Sequence, residues 1–190
     1  MKYFGGCDVG STYTKTVILD EQGKMVASNT IKSKINSRES AELSLKNALN
    51  DAGLKEISDL SYLIGTGYGR NKVPQAQENI SEISCHAMGV HITNPEVEAI
   101  IDIGGQDVKG IAVDSDGTVK TFAMNDKCAA GTGRFFESMA NAFEVSLDEF
   151  SKLSLTAKNV IPITAQCTVF AESEVITLVG EGQPRDEIAA

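Results

Sequence analysis

The strongest constraint on this chain is that it contains the same pattern twice. The stretch DVGSTYTKTVILDEQG, starting at Asp8, lies over DIGGQDVKGIAVDSDG, starting at Asp102, with a single shift of 94 residues. That shift pairs Asp8 with Asp102, Gly10 with Gly104, Lys15 with Lys109, Asp20 with Asp114 and Gly23 with Gly117, and it matches the apolar positions between them. Self-similarity at a fixed shift marks a repeated structural unit. Each copy reads as an apolar strand, a Gly-containing turn, a returning strand and another turn, the pattern of a β-hairpin. The chain is therefore expected to be two related domains, residues 1–94 and 95–190, meeting near Asn94-Pro95.

The rest of each copy follows from hydrophobic spacing. In the first, residues 25–31 suit a third strand, 39–49 a helix with Ala41, Leu45, Ala48 and Leu49 at helical spacing, 60–65 a buried strand and 81–89 a short helix. In the second, residues 119–124 match the third strand, and 132–143 form a helix with Phe135, Phe136, Met139 and Phe143 on one face. A strand over 160–164 and a helix over 169–179 complete it. Strands alternating with helices in both halves predict an α/β protein. At the end, EGQPRDEIAA holds a loop with Pro184 and then Asp186-Glu187, a cap and first helical turn with no room to continue. The second domain is thus expected to be incomplete at its C-terminus.

Composition narrows the function classes. With 190 residues, 42% hydrophobic, 23% charged and only 4 Pro, the chain is an ordinary globular sequence rather than a disordered or collagen-like one. No run of 18 apolar residues and no leader-like start predict neither a membrane span nor a signal peptide, hence a cytoplasmic protein with no membrane partner. A net charge of −9 leaves no clustered Lys and Arg for a duplex, and no nucleic-acid partner is expected.

Such a chain can still bind one phosphate group locally. A strand, then Asp-x-Gly with Ser-Thr or Gly-Gln, then a returning strand places successive N–H groups and hydroxyls in a concave turn, an anion nest. Gly10 and Gly104 allow close backbone approach to a phosphate. Ser11 and Thr12 supply hydroxyls with no His-Asp pair to activate them, so they read as phosphate ligands rather than nucleophiles. Lys15 neutralises a phosphate. Asp8 and Asp102 would repel one, so their useful role is to hold Mg²⁺ through water. Two such turns would clamp the phosphate tail of a nucleotide between two domains; the alternative is a pair of Gly-rich turns that serve only the fold.

The cysteines, Cys7, Cys85, Cys128 and Cys167, have no CxxC spacing, which argues against a disulfide framework or a zinc site in one chain. Cys7 in its strand and Cys85 on its helix read as small apolar residues. Cys128 in MNDKCAAGTGRFFE and Cys167 in IPITAQCTVFAESE each precede a helix, where dipole and free N–H groups favour a thiolate or a thiolate-bound cluster. A [4Fe–4S] cluster takes four Cys, which two chains about a twofold axis would supply. Packing remains the alternative for both. His86 and His91 lack a carboxylate at metal spacing and read as ordinary polar positions.

With these residues assembled, the chain resembles the activators of 2-hydroxyacyl-CoA dehydratases, within the wider family that includes the ATP-binding subunits of benzoyl-CoA reductase. The matching stretches are DVGSTYTK (8–15), TGYGR (66–70), SEISCHAMG (81–89), DIGGQDVK (102–109), MNDKCAAGTGRFFE (124–137) and CTVFAESEVI (167–176). The resemblance implies the duplicated actin, hexokinase and Hsp70-like ATPase fold, with Asp8, Asp102 and Gln106 at the chemistry. ATP or ADP would be bound by Gly10, Ser11, Thr12, Lys15, Gly104, Gly105, Gln106, Lys109, Gly131 and Thr132. It also implies a homodimer holding one [4Fe–4S] cluster through Cys128 and Cys167 of each copy, sensitive to oxygen. Electrons would come from reduced ferredoxin or flavodoxin and pass, driven by ATP, to the dehydratase component. Family members continue beyond the position of Ala190 with a helix and a Gly-rich segment that helps enclose the adenosine, so these 190 residues are expected to bind ATP weakly or not at all. Two other readings stay open on the residues alone: a small-molecule kinase of the same superfold with Asp102 as base, and a nucleotide-switched scaffold in which Cys128 and Cys167 merely pack.

Overall fold

The first copy of the repeat folds as the hairpin its pattern requires. In the structure, a computed structural model that describes residues 1–125, 131–164 and 167–190, β1 (Tyr3–Val9) runs antiparallel to β2 (Tyr13–Asp20). β3 (Met25–Lys32) pairs with β2, and α1 (Ser37–Asp51) leads to β4 (Tyr62–Thr66), which returns parallel to β1. The two-residue β5 (Glu78–Asn79) completes a sheet of order β3-β2-β1-β4-β5, and α2 (Glu82–Thr93) follows. Strand alternation sends Cys7, Val9, Ile18 and Leu63 to one face, where all four residues of the expected α1 stripe, Ala41, Leu45, Ala48 and Leu49, are buried with them. The Asn36 side chain starts α1 by accepting from the Arg38 and Glu39 N–H groups.

β6 (Ala99–Ile103), β7 (Val108–Val113) and β8 (Val119–Asn125) form a second sheet in that order. They precede α3 (Gly133–Ala142), α4 (Leu147–Ser154), α5 (Thr168–Gly180) and α6 (Arg185–Ala189). Contacts divide the chain into two units: Met1–Ala99 with Ile111–Thr121, and Ile100–Gly110 with Phe122–Ala190.

The repeat is visible at the level of single hydrogen bonds. Gly10 N–H donates to the Tyr13 carbonyl at 3.1 Å, and Gly104 N–H donates to the Asp107 carbonyl at 2.8 Å. Asp20 and Asp114 donate to the carbonyls of Lys24 and Thr118, both at 2.9 Å. Gly23 at φ +78° and Gly117 at φ +83° close these second turns in the left-handed region that favours glycine.

One expectation is corrected in the second unit. Residues 160–164 form no strand: Ile161 N–H donates to the Glu187 carbonyl and Asn159 Nδ2 to the Glu187 carboxylate, which ties the segment to α6. The tail forms the short helix start expected after Pro184, and this α6 also buries Ile188 among Met139, Phe143, Phe150 and Val175. α4, which hydrophobic spacing did not announce, is set by a capping box between Ser146 and Glu149. Among the described residues no helix is long and apolar enough to cross a membrane.

Candidate functional site

The glycines of the two turns answer first to the turns themselves. A Cβ on Gly10 would stand 2.6 Å from the Tyr13 carbonyl oxygen, and one on Gly104 would stand 2.7 Å from the Asp107 carboxylate. Glycine at these positions is therefore required with or without a ligand. The hydroxyls carry more information. Among the described residues, three buried side-chain polar atoms lack a hydrogen-bond partner: Thr12 Oγ1, Thr66 Oγ1 and His91 Nδ1. Folded proteins seldom leave such atoms unpaired. Thr12 lies in the turn after β1, and Thr66 ends the neighbouring β4, so two of the three are at one end of the first sheet. Donor hydroxyls beside backbone N–H groups suit a phosphate oxygen.

The surrounding groups hold this turn firmly. Lys15 Nζ sits 3.5 Å from the Asp8 carboxylate; with its side chain half exposed, that pair is weak and Lys15 is free to turn to an anion. Ser33, which no sequence motif marked, fastens the turn twice: its N–H donates to the Thr12 carbonyl and its Oγ to the Gly10 carbonyl, each at 2.8 Å. Because that proton is committed, Thr14 Oγ1 must be the donor in its 2.9 Å bond with Ser33 Oγ. Ser33→Ala is expected to cost about 2 kcal/mol, since it leaves the Gly10 carbonyl and the Thr14 hydroxyl without these partners. A urea midpoint equal to that of the parent at unchanged slope would show that the turn stands without Ser33.

The second turn is differently charged. Lys109, only 3% exposed, pairs with Asp102 at 3.7 Å and also with Asp107, a carboxylate the sequence reading did not single out. Gly105 is half-buried and Gln106 exposed in the same turn. Gly131, at φ +76°, precedes Thr132, whose buried hydroxyl caps α3 by accepting from Phe135 N–H. Gly133 N–H donates to the Gly104 carbonyl at 2.8 Å and Arg134 N–H to the Gly105 carbonyl at 3.2 Å. The first three N–H groups of α3 are thus occupied, which corrects the expectation that they are free to favour a thiolate. They instead fasten the helix to the turn.

Cys167 is half-buried at the N-cap position of α5, and its thiol caps nothing, so the sulfur keeps its ligating capacity. Cys128 lies outside the described residues. α5 packs on α3 through Met139 and Val175, with Ser138 Oγ donating to Glu172 at 3.1 Å. Burial pushes the Cys7 thiol up to about 11, as suits a protonated, packing side chain.

Comparison with known proteins agrees with this arrangement. The BadF/BadG/BcrA/BcrD ATPase family pattern matches residues 6–190. The activator of lactoyl-CoA dehydratase from Anaerotignum propionicum is 47% identical over 186 residues, which cover 98% of this chain and 71% of the relative. The crystal structure of the Acidaminococcus fermentans (R)-2-hydroxyglutaryl-CoA dehydratase component A superposes with a TM-score of 0.91 at 42% identity, covering 100% of this chain and 72% of that one. The activator of the 2-hydroxyisocaproyl-CoA dehydratase from Clostridium difficile, with bound ADPNP, gives a TM-score of 0.89 at 43% identity over 98% of this chain and 69% of that one. The α/β fold is the actin and hexokinase-like ATPase fold.

Proposed function

Because the chain belongs to the BadF/BadG/BcrA/BcrD ATPase family, we propose that it is an ATP-dependent activator of a 2-hydroxyacyl-CoA dehydratase component. In this reading two copies hold one [4Fe–4S] cluster through Cys128 and Cys167 of each, and reduced ferredoxin or flavodoxin is the electron donor. Such a cluster, when bound, supplies one-electron chemistry at low potential. Asp8 and Asp102 hold Mg²⁺ through water, Gln106 acts at the phosphates with them, and Gly10, Ser11, Thr12 and Lys15 cradle the anion. Gly104, Gly105, Lys109, Gly131 and Thr132 are the nucleotide-binding set of the second turn.

One observation carries the reading: the turn expected to meet phosphate is hydrogen-bonded through the Gly104 and Gly105 carbonyls to the first residues of α3. α3 is the helix that follows Cys128, and it packs on α5, the helix that follows Cys167. A change at the turn when nucleotide binds or is hydrolysed would therefore act directly on the start of α3 and, through the packing of Met139 on Val175 and the Ser138–Glu172 bond, on α5, which is the coupling an ATP-driven electron donor needs.

The test is iron and acid-labile sulfide per chain, on protein reconstituted without oxygen, with its mass in solution. About two irons and two sulfides per chain in a dimer are expected, half of a [4Fe–4S] cluster each. An iron-free protein after reconstitution would overturn the redox part of the reading.

A further inference from the structure

The last residue of β4 carries a hydroxyl that folding does not use. Thr66 Oγ1 is buried and has no hydrogen-bond partner, although a valine of the same shape would leave nothing unsatisfied. The backbone after Thr66 is fixed. Gly67 is held at φ +84° against the Asp8 carboxylate and the Val9 carbonyl. Gly69 N–H donates to the Val9 carbonyl at 2.8 Å. The Arg70 guanidinium donates to the Gly67 carbonyl at 3.1 Å and reaches Glu82 at 3.5 Å.

Strand register shows what the hydroxyl faces. Asp8 is the register partner of Lys15 on one side and of Thr66 on the other, so Lys15, Asp8 and Thr66 form one row across β2, β1 and β4 on the face opposite α1. Neighbouring strands lie about 4.8 Å apart, so the row spans about 10 Å, wider than a single phosphate can bridge but within reach of a chain of phosphates. The row also lies at the carboxyl ends of the parallel strands β1 and β4, where ligands of α/β sheets bind. A phosphate chain whose inner members lay in the β1–β2 turn, with its N–H groups and Thr12, would direct its terminal phosphate toward β4.

We propose that Thr66 contacts the ligand directly, its hydroxyl donating to the terminal phosphate of a metal-bound nucleoside triphosphate beside Asp8. The inference rests on the nucleotide-binding part of the proposed function. It is tested by thermal-shift titration of the parent, Thr66→Val and Thr66→Ser proteins with Mg·ADPNP and Mg·ADP up to millimolar concentration, a range that registers weak binding. A hydrogen bond to a charged oxygen corresponds to about tenfold or more in affinity. Thr66→Val is expected to lose that factor for Mg·ADPNP while keeping Mg·ADP close to the parent, and Thr66→Ser to restore the ADPNP response. Without ligand, Thr66→Val melts no lower than the parent, which separates the effect from misfolding. Equal ADPNP affinity in parent and Thr66→Val, or an equal loss for both nucleotides, would overturn this inference alone. A parent that responds to neither nucleotide at millimolar concentration would overturn this inference for these 190 residues and match the expectation, drawn from the sequence, that they bind ATP weakly or not at all.

Discussion

Gly67→Ala is expected to destabilise the protein by about 3 kcal/mol, one of the largest effects of any single methyl group added to this chain. Two costs add. A left-handed backbone at a non-glycine residue costs about 1–2 kcal/mol, and Gly67 sits at φ +84°. The new Cβ would also overlap the Asp8 carboxylate and approach the Val9 carbonyl oxygen to 2.8 Å, and both are anchored backbone or site atoms rather than flexible chain ends. Overpacking of that kind costs about 1–3 kcal/mol. For a chain of this size the sum corresponds to a drop of roughly 6–12 °C in Tm. Gly23→Ala is the matched control: its φ is +78° and nothing lies within 4 Å of its Cβ, so it bears the backbone cost alone. If the two variants melt together, the loop after β4 yields freely and the clamp on Asp8 does not exist. If they separate as expected, Gly67→Ala also loses the Mg·ADPNP response, because the displaced carboxylate is the group assigned to the metal.

The second large effect is functional. Cys167→Ser is expected to reduce reconstituted iron to near zero and dehydratase activation to background while leaving the Mg·ADPNP response intact. In a dimer each substitution removes two of the four thiolates, and a hydroxyl is a poor substitute for a thiolate on iron. Loss of folding cannot produce the same result. Cys167 occupies the N-cap of α5 without a side-chain capping bond, and serine is among the best residues there. The variant should therefore melt at or above the parent temperature. Two irons per chain retained in Cys167→Ser would remove this residue from the ligand set, and a matched loss in Cys128→Ser would show that both cysteines hold one cluster.

Local pattern and distant contacts contributed differently to these arguments. The four buried residues of α1 and the apolar face of α3 were legible because helical spacing acts within one or two turns. α4 was missed, although Ser146 and Glu149 stand at the capping-box interval, a signal that hydrophobic spacing passes over. The expected strand over 160–164 failed for the opposite reason. Val160, Ile161 and Ile163 are apolar enough for a strand, but a strand exists only where another backbone offers its hydrogen bonds, and here Ile161 N–H finds the end of α6 instead.

The site divides along the same line. Asp8, Gly10, Thr12 and Lys15 were named from the chain alone, since a turn between paired strands is a local object and its duplication 94 residues later exposes the pattern. Thr66 lay inside a recognised motif without a role until strand register set it beside Asp8. Ser33 and Asp107 had no signal, because a serine after a strand and an aspartate in a turn are common until one fastens two carbonyls and the other shares a buried lysine. The sequence by itself determined the repeat, the hairpins and the helix faces, all set by spacing along the backbone, and its motifs carried the resemblance to the family. Only the tertiary structure decided which hydroxyls are left without partners and which carbonyls hold the start of α3, because hydrogen bonds between distant segments depend on register and burial that no local pattern encodes.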